Sequence, residues 1–147
     1  MYNLTQDIIF IGADDDNLDL FEAQYPLVSG ISYNSFFIND EKAAIVDAVD
    51  IRRQDIWLAN LSEAVRITGK SPDYLIIHHM EPDHSGGIKI LLDLYPDIKI
   101  ICTGKAADML ANFFEDVDFS DSIIKVADGD KISLGKHELK FITAPMV

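Results

Sequence analysis

The chain has 147 residues, and 12 Lys and Arg against 25 Asp and Glu give it a formal charge of −13 at pH 7. With 48 % apolar and 25 % charged residues it has apolar side chain enough for the core of one ordinary domain, which excludes intrinsic disorder, and its single cysteine excludes a disulfide scaffold. No apolar run approaches the roughly 18 residues of a membrane span, no basic n-region or cleavage site opens the chain, and the densest basic pair is Arg52-Arg53; a cytoplasmic chain with no membrane and no nucleic-acid partner is expected.

In chain order, a short apolar run over 8–12 reads as a strand, and 32–38 followed by 42–47 reads as a hairpin turned by Asn39-Asp40-Glu41. Between them, Asp14-Asp15-Asp16 reads as a solvated turn, since adjacent side chains point apart and no glycine-punctuated calcium loop follows. From 53 to 68 the positions Ile56, Trp57, Leu61, Ala64 and Val65 recur at helical spacing, with Gly69 placed to end the helix. A buried-type strand over 73–77 comes next. Ile88, Leu91, Leu92 and Tyr95 mark a further helix, capped by Ser85 and stopped by Pro96. A strand over 98–102 leads to Thr103, a plausible N-cap for the helix carrying Ala107, Leu110, Ala111 and Phe114. Strands at 123–126, 131–134 and 138–143 follow, with turns at Asp128-Gly129 and Gly135-Lys136. No linker or repeat divides the chain. This order predicts an α/β layer, a mixed sheet with helices packed on it.

Chemistry concentrates in His78-His79-Met80-Glu81-Pro82-Asp83-His84-Ser85-Gly86-Gly87, where a strand hands over to a helix. In extended backbone i and i+2 point the same way, so His79 and Glu81 converge while Met80 points elsewhere. Pro82 disfavours helical dihedrals at Glu81 and prolongs the extended form. Asp83 and His84 are then presented by the turn. Two imidazoles and two carboxylates within six residues form a nitrogen and oxygen donor set suited to iron, zinc or manganese; a solvated loop with satisfied histidines is the alternative. His78 lies out of phase with His79 and reads as a packed or supporting histidine rather than a ligand.

The motif His-x-Glu-x-Asp-His at His79, Glu81, Asp83 and His84 resembles that of the flavodiiron proteins, or A-type flavoproteins, whose N-terminal domain has the metallo-β-lactamase fold. Zinc hydrolases of that superfamily carry His where this chain has Glu81. A carboxylate there makes the site harder and more anionic, favouring a redox iron over a hydrolytic zinc. The resemblance extends over Phe21-Glu22-Ala23-Gln24-Tyr25-Pro26, Gly30-Ile31-Ser32-Tyr33-Asn34-Ser35 and Thr143-Ala144-Pro145-Met146.

The resemblance implies that residues 1–147 form the N-terminal part of a metallo-β-lactamase-like αββα domain. His79 and Glu81 would bind one iron, Asp83 and His84 the other, and Tyr25 matches a tyrosine lining the substrate pocket. It further implies that a histidine, a bridging aspartate and a second histidine, and then a flavodoxin-like FMN domain, lie C-terminal to Val147, so that this chain alone is metal-free or holds a partial site. His137 matches none of these ligands. The implied whole protein is a cytoplasmic oxidoreductase reducing oxygen to water or nitric oxide to nitrous oxide at a non-haem diiron site. A head-to-tail homodimer would bring one subunit's flavin to the other's irons, with rubredoxin or a similar small carrier as electron donor. The competing readings are a zinc-dependent hydrolase of the superfamily, against which Glu81 counts, and an inactive fold fragment. Only Glu81 and Asp83 among the acids are assigned to metal, and nearly all the others are expected at the surface. Cys102, ending a buried strand with no partner thiol, is expected to be packed and inert.

Overall fold

A computed structural model describes residues 1–21 and 24–144. Short strands come first: β1 (Tyr2–Asn3), β2 (Ile8–Phe10), β3 (Ala13–Asp15), β4 (Leu20–Phe21), β5 (Tyr25–Pro26), β6 (Ile31–Tyr33), β7 (Phe36–Ile38) and β8 (Ala43–Val46). A 3-10 turn, Ile51–Arg53, leads into α1 (Gln54–Thr68), β9 (Pro72–Ile76), α2 (Pro82–Ser85), α3 (Ile88–Leu94), β10 (Lys99–Thr103), α4 (Gly104–Phe113) and β11 (Ile123–Val126). The hairpin strands β12 (Lys131–Ser133) and β13 (Glu138–Lys140) follow.

The main sheet has the order β1-β2-β7-β8-β9-β10-β11. Its first four strands pair antiparallel and its last four pair parallel, with the change at β8. Parallel neighbours need crossovers, and α1, α2 with α3, and α4 supply them. The period of two divides each strand between two cores. Ile45, Leu75 and Ile100 face the helix layer, where they pack with Trp57, Leu61, Ile88, Leu91 and Leu110. Ala44, Ile76 and Ile101 face the other way, toward Leu134 and the β12–β13 hairpin. Among the described residues, no helix is long and apolar enough to cross a membrane.

Helix α1 buries Trp57, Leu61 and Ala64, spaced by four and three residues, and Gly69 ends it in the left-handed conformation with its N–H on the Val65 carbonyl. Thr103 caps α4 as expected, accepting from the Ala106 N–H at 3.2 Å.

Five local expectations are corrected. Ser85 does not cap a helix. Pro82 takes the first position of α2 and starts the helical turn early, so Ser85 ends that turn, its hydroxyl donates to the Glu81 carbonyl at 3.0 Å, and α3 starts after Gly87. Consequently Asp83 and His84 stand in helix rather than in an open turn. The stretch 32–38 is two strands, β6 pairing with β3 and β7 with β2. Asp14-Asp15-Asp16 is no solvated turn either: β3 alternation sends Asp15 inward, where its carboxylate meets Arg53 at 2.7 Å and Arg52 at 3.1 Å. The last strand, expected over 138–143, ends at Lys140. Glu22, Ala23, Pro145, Met146 and Val147 lie outside the described residues, and with them parts of two segments that carry the resemblance.

Candidate metal centre

The candidate ligands emerge from the carboxyl edge of the parallel half-sheet, where functional groups of α/β folds gather. Val46 of β8 stands opposite Ile76 of β9, so the residues after these two strands leave the sheet side by side. Asp47 is the first residue after β8. Its φ of 54° places it in the left-handed region, uncommon for any residue but glycine. Several bonds hold it there: its N–H donates to the Ile76 carbonyl at 2.8 Å, and its own carbonyl accepts from the Ser35 hydroxyl at 2.7 Å.

The Asp47 side chain is buried and reaches into the ligand segment. Oδ1 accepts the His78 backbone N–H at 2.8 Å, and Oδ2 accepts the Nδ1–H of both His78 and His84, each at 2.8 Å. Burial by itself would raise the Asp47 carboxyl, but the hydrogen bonds from His78 and His84 outweigh it and hold its pKa below the ordinary value. The same bonds to Asp47 raise both imidazoles above theirs, against the opposing effect of burial. An ionised carboxylate only accepts, so both Nδ1 atoms carry hydrogen and each Nε2 is the atom left for a ligand or a proton.

The structure brings the predicted residues together in pairs. His79 Nδ1 lies 3.7 Å from Glu81 Oε1, His84 Nε2 lies 3.4 Å from Asp83 Oδ2, and the His79 and His84 rings stand 4.0 Å apart, centroid to centroid. Glu81 is extended, at φ −67° and ψ 151°, as its place before Pro82 requires, and Met80 turns into the core. Among the described residues, no group of three or more His, Cys, Asp and Glu side chains is gathered closely enough to hold a metal ion. His78 shares the Asp47 carboxylate with His84, and its side chain is 64 % exposed rather than packed.

Asp47 is the residue that reading the sequence missed. It ends a predicted strand among other acids, and its one signal is that position, a carboxylate at the carboxyl end of a strand. The expectation that almost all acids lie at the surface is corrected at Asp47, Asp15 and Asp40, all buried. Asp40 accepts backbone N–H groups of Glu41, Lys136 and His137 and the His137 ring, which accounts for His137 standing apart from the ligand set. Tyr25 lies in β5 with 57 % of its surface exposed. Cys102 is buried and free, and burial pushes its thiol up to about 11, the inert state expected of it. A cavity of about 440 Å³ opens between the sheet and the β13 segment; His78, Cys102 and Thr103 line it, but none of His79, Glu81, Asp83 and His84 does.

The family described as "ODP family beta lactamase" matches residues 31–147. The chain belongs to the flavodiiron protein family. Its relatives include a nitric oxide reductase of Moorella thermoacetica, 35 % identical over 148 residues that cover 98 % of this chain and 35 % of that protein. An anaerobic nitric oxide reductase flavorubredoxin of Vibrio vulnificus is 33 % identical over 129 residues, covering 88 % of this chain and 26 % of that protein. Among solved structures, the rubredoxin oxygen:oxidoreductase of Desulfovibrio gigas superposes with a TM-score of 0.87 at 26 % identity, over 95 % of this chain and 34 % of that one. The flavodiiron chain described here thus spans about a third or less of the relatives it matches. Its mixed sheet with a helix layer is the metallo-β-lactamase-like architecture of that family, as expected.

Proposed function

We propose that His79 and Glu81 supply one iron, and Asp83 and His84 the other, of a non-haem diiron site in a protein that reduces oxygen to water or nitric oxide to nitrous oxide. The observation that carries this reading is the pairing of one imidazole with one carboxylate twice over within one short segment, His79 with Glu81 just before α2 and His84 with Asp83 inside it. The donor chemistry fits: all four groups offer nitrogen or oxygen, none is a thiolate, and the carboxylates offset the charge of a hard cation. Two donors per ion leave coordination positions for further ligands and for a small gas. Bound iron would supply redox electrons there, which none of these side chains can do.

The chain's own residues do the positioning. Asp47 fixes the ring of His84 through Nδ1 and turns Nε2 toward Asp83. Pro82 keeps Glu81 extended on the same side as His79. Tyr25 is assigned to the pocket on the family motif.

The names of two relatives, a flavorubredoxin and a rubredoxin oxygen:oxidoreductase, support FMN as the internal electron source and a rubredoxin-type carrier as donor; a head-to-tail homodimer in the cytoplasm, joining flavin to iron, completes the proposal. Metal and flavin analysis of the whole purified protein tests it. Iron in a pair per subunit together with FMN is expected; zinc without flavin would instead indicate a hydrolase and overturn the proposal.

A further inference from the structure

The geometry points to Ser35 and Trp57 as positioning residues of the candidate centre, acting on His84 through Asp47. Ser35 closes the segment 30–35, one of those that carry the family resemblance, and no part of the proposed chemistry uses it. It is fully buried, as is Trp57. The Trp57 indole Nε1–H donates to Ser35 Oγ at 2.9 Å, and the Ser35 hydroxyl donates onward to the Asp47 carbonyl at 2.7 Å. With that one hydrogen committed, the indole N–H fills an acceptor site of the same oxygen. The chain of bonds therefore has a fixed direction, from α1 through β7's entry to the residue after β8.

The carbonyl it holds belongs to a left-handed aspartate. Relaxing Asp47 from φ 54° would swing its carboxylate off the two imidazoles it serves. Left-handed aspartate is of modest cost but not self-maintaining, so the burial of Ser35 beside it supplies the constraint. A second contact reaches the ligand segment directly. The six-membered edge of Trp57 lies against Gly87, where a Cβ would sit 2.6 Å from the ring. Just before it, Ala48 N–H donates to the His84 carbonyl at 3.0 Å and Gly87 N–H to the Val49 carbonyl at 3.1 Å. One indole thus fixes both sides of the gap that His84 spans, the Asp47 side by a hydrogen bond and the Gly87 side by packing.

The inference rests on the diiron reading for its purpose but not for its test. In the metal-free whole protein, the hydrogen-bonded Nδ1–H of His84 is followed by low-field proton NMR with labelled histidine, and ferrous iron is then titrated in. Ser35→Ala is expected to shift or broaden the His84 signal and to weaken ferrous binding about tenfold, the lower range for losing a group that supports a ligand. Ser35→Thr, which keeps the hydroxyl, restores both. Leu110→Ala, a buried change in α4, lowers Tm without moving either readout. If Ser35→Ala does not fold, the near-isosteric Ser35→Cys, a weak donor, carries the same comparison. An unchanged His84 signal in the Ser35 variant overturns the inference. A signal that responds in a protein that takes up no ferrous iron upholds the positioning role and removes the diiron reading instead.

Discussion

Asp47 and His84 are 37 residues apart in sequence and joined by a 2.8 Å hydrogen bond from the imidazole Nδ1–H to a buried carboxylate oxygen. The same oxygen takes the Nδ1–H of His78, so one acid fixes two rings through Nδ1 and leaves Nε2 of each without a bond to it. Asp47→Asn keeps the size but replaces a charged acceptor by a weaker one. Metal affinity is expected to fall about 10–100-fold, the usual effect of losing a carboxylate behind a ligating histidine. Chelator competition on the whole protein measures it, and an affinity within a factor of two of wild type would place Asp47 outside the centre's support.

On the proposed diiron reading, Glu81 is the position that separates a redox iron site from a hydrolytic zinc site. Glu81→His replaces an anionic oxygen donor by a neutral nitrogen donor beside His79, with the extended backbone before Pro82 unchanged. Protein purified from medium containing iron and zinc in equal amounts is expected to show a lower iron-to-zinc ratio than wild type by metal analysis. An unaltered ratio would assign metal choice to other groups.

Asp15 predicts an acid limit on stability. Burial alone would raise its carboxyl, but Arg53, the Asn17 N–H and Arg52 hold it below the usual value. The unfolded carboxyl, near 3.9, therefore takes up its proton before the folded one as pH falls. Its contribution is complete above about pH 5 and is lost progressively below that. Asp15→Asn should cost about 1–3 kcal/mol at neutral pH, and its urea midpoint should fall less steeply than that of wild type between about pH 5 and pH 2. Parallel curves would mean that Asp15 makes no such contribution.

Asp40 is the clasp between the β7–β8 turn and the β12–β13 hairpin. It accepts the N–H groups of Lys136 at 3.0 Å and His137 at 2.7 Å, besides that of Glu41. Burial would raise its carboxyl, and these backbone bonds instead hold it well below the carboxylate range. Asp40→Ala leaves those donors without their acceptor. Amide exchange at Lys136 and His137 is expected to speed up roughly tenfold while α1 amides stay protected. Equal exchange in the variant would show that the hairpin is held by Leu134 and its neighbours alone.

Much of this architecture was legible because it is written in local spacing. The helix over 53–68 shows in the recurrence of Trp57, Leu61 and Ala64, and Gly69 ends it as its position predicts. The hairpin of β7 and β8 showed in alternation around Asn39-Asp40-Glu41. Ser85 was misread because two start signals compete within four residues, and a proline fixed at the first helical position overrides a serine that could cap a later one. Asp14-Asp15-Asp16 was misread because three like residues in a row carry no sign of which one faces in. That choice is made by Arg52 and Arg53, which lie 37 and 38 residues away.

What the sequence by itself determined is the candidate ligand segment and its local presentation: His79 and Glu81 two residues apart on extended backbone, with Pro82 enforcing it just ahead of Asp83 and His84. Such relations depend on dihedral preferences within a few residues, and those are intrinsic to the chain. Only the tertiary structure decided which groups stand behind these side chains. The parallel register of β8 and β9, closed across the α1 crossover, sets Asp47 against His78 and His84, and buried Ser35 and Trp57 hold it there. Pairing of that kind is fixed by packing between distant segments, and no spacing along the chain encodes it.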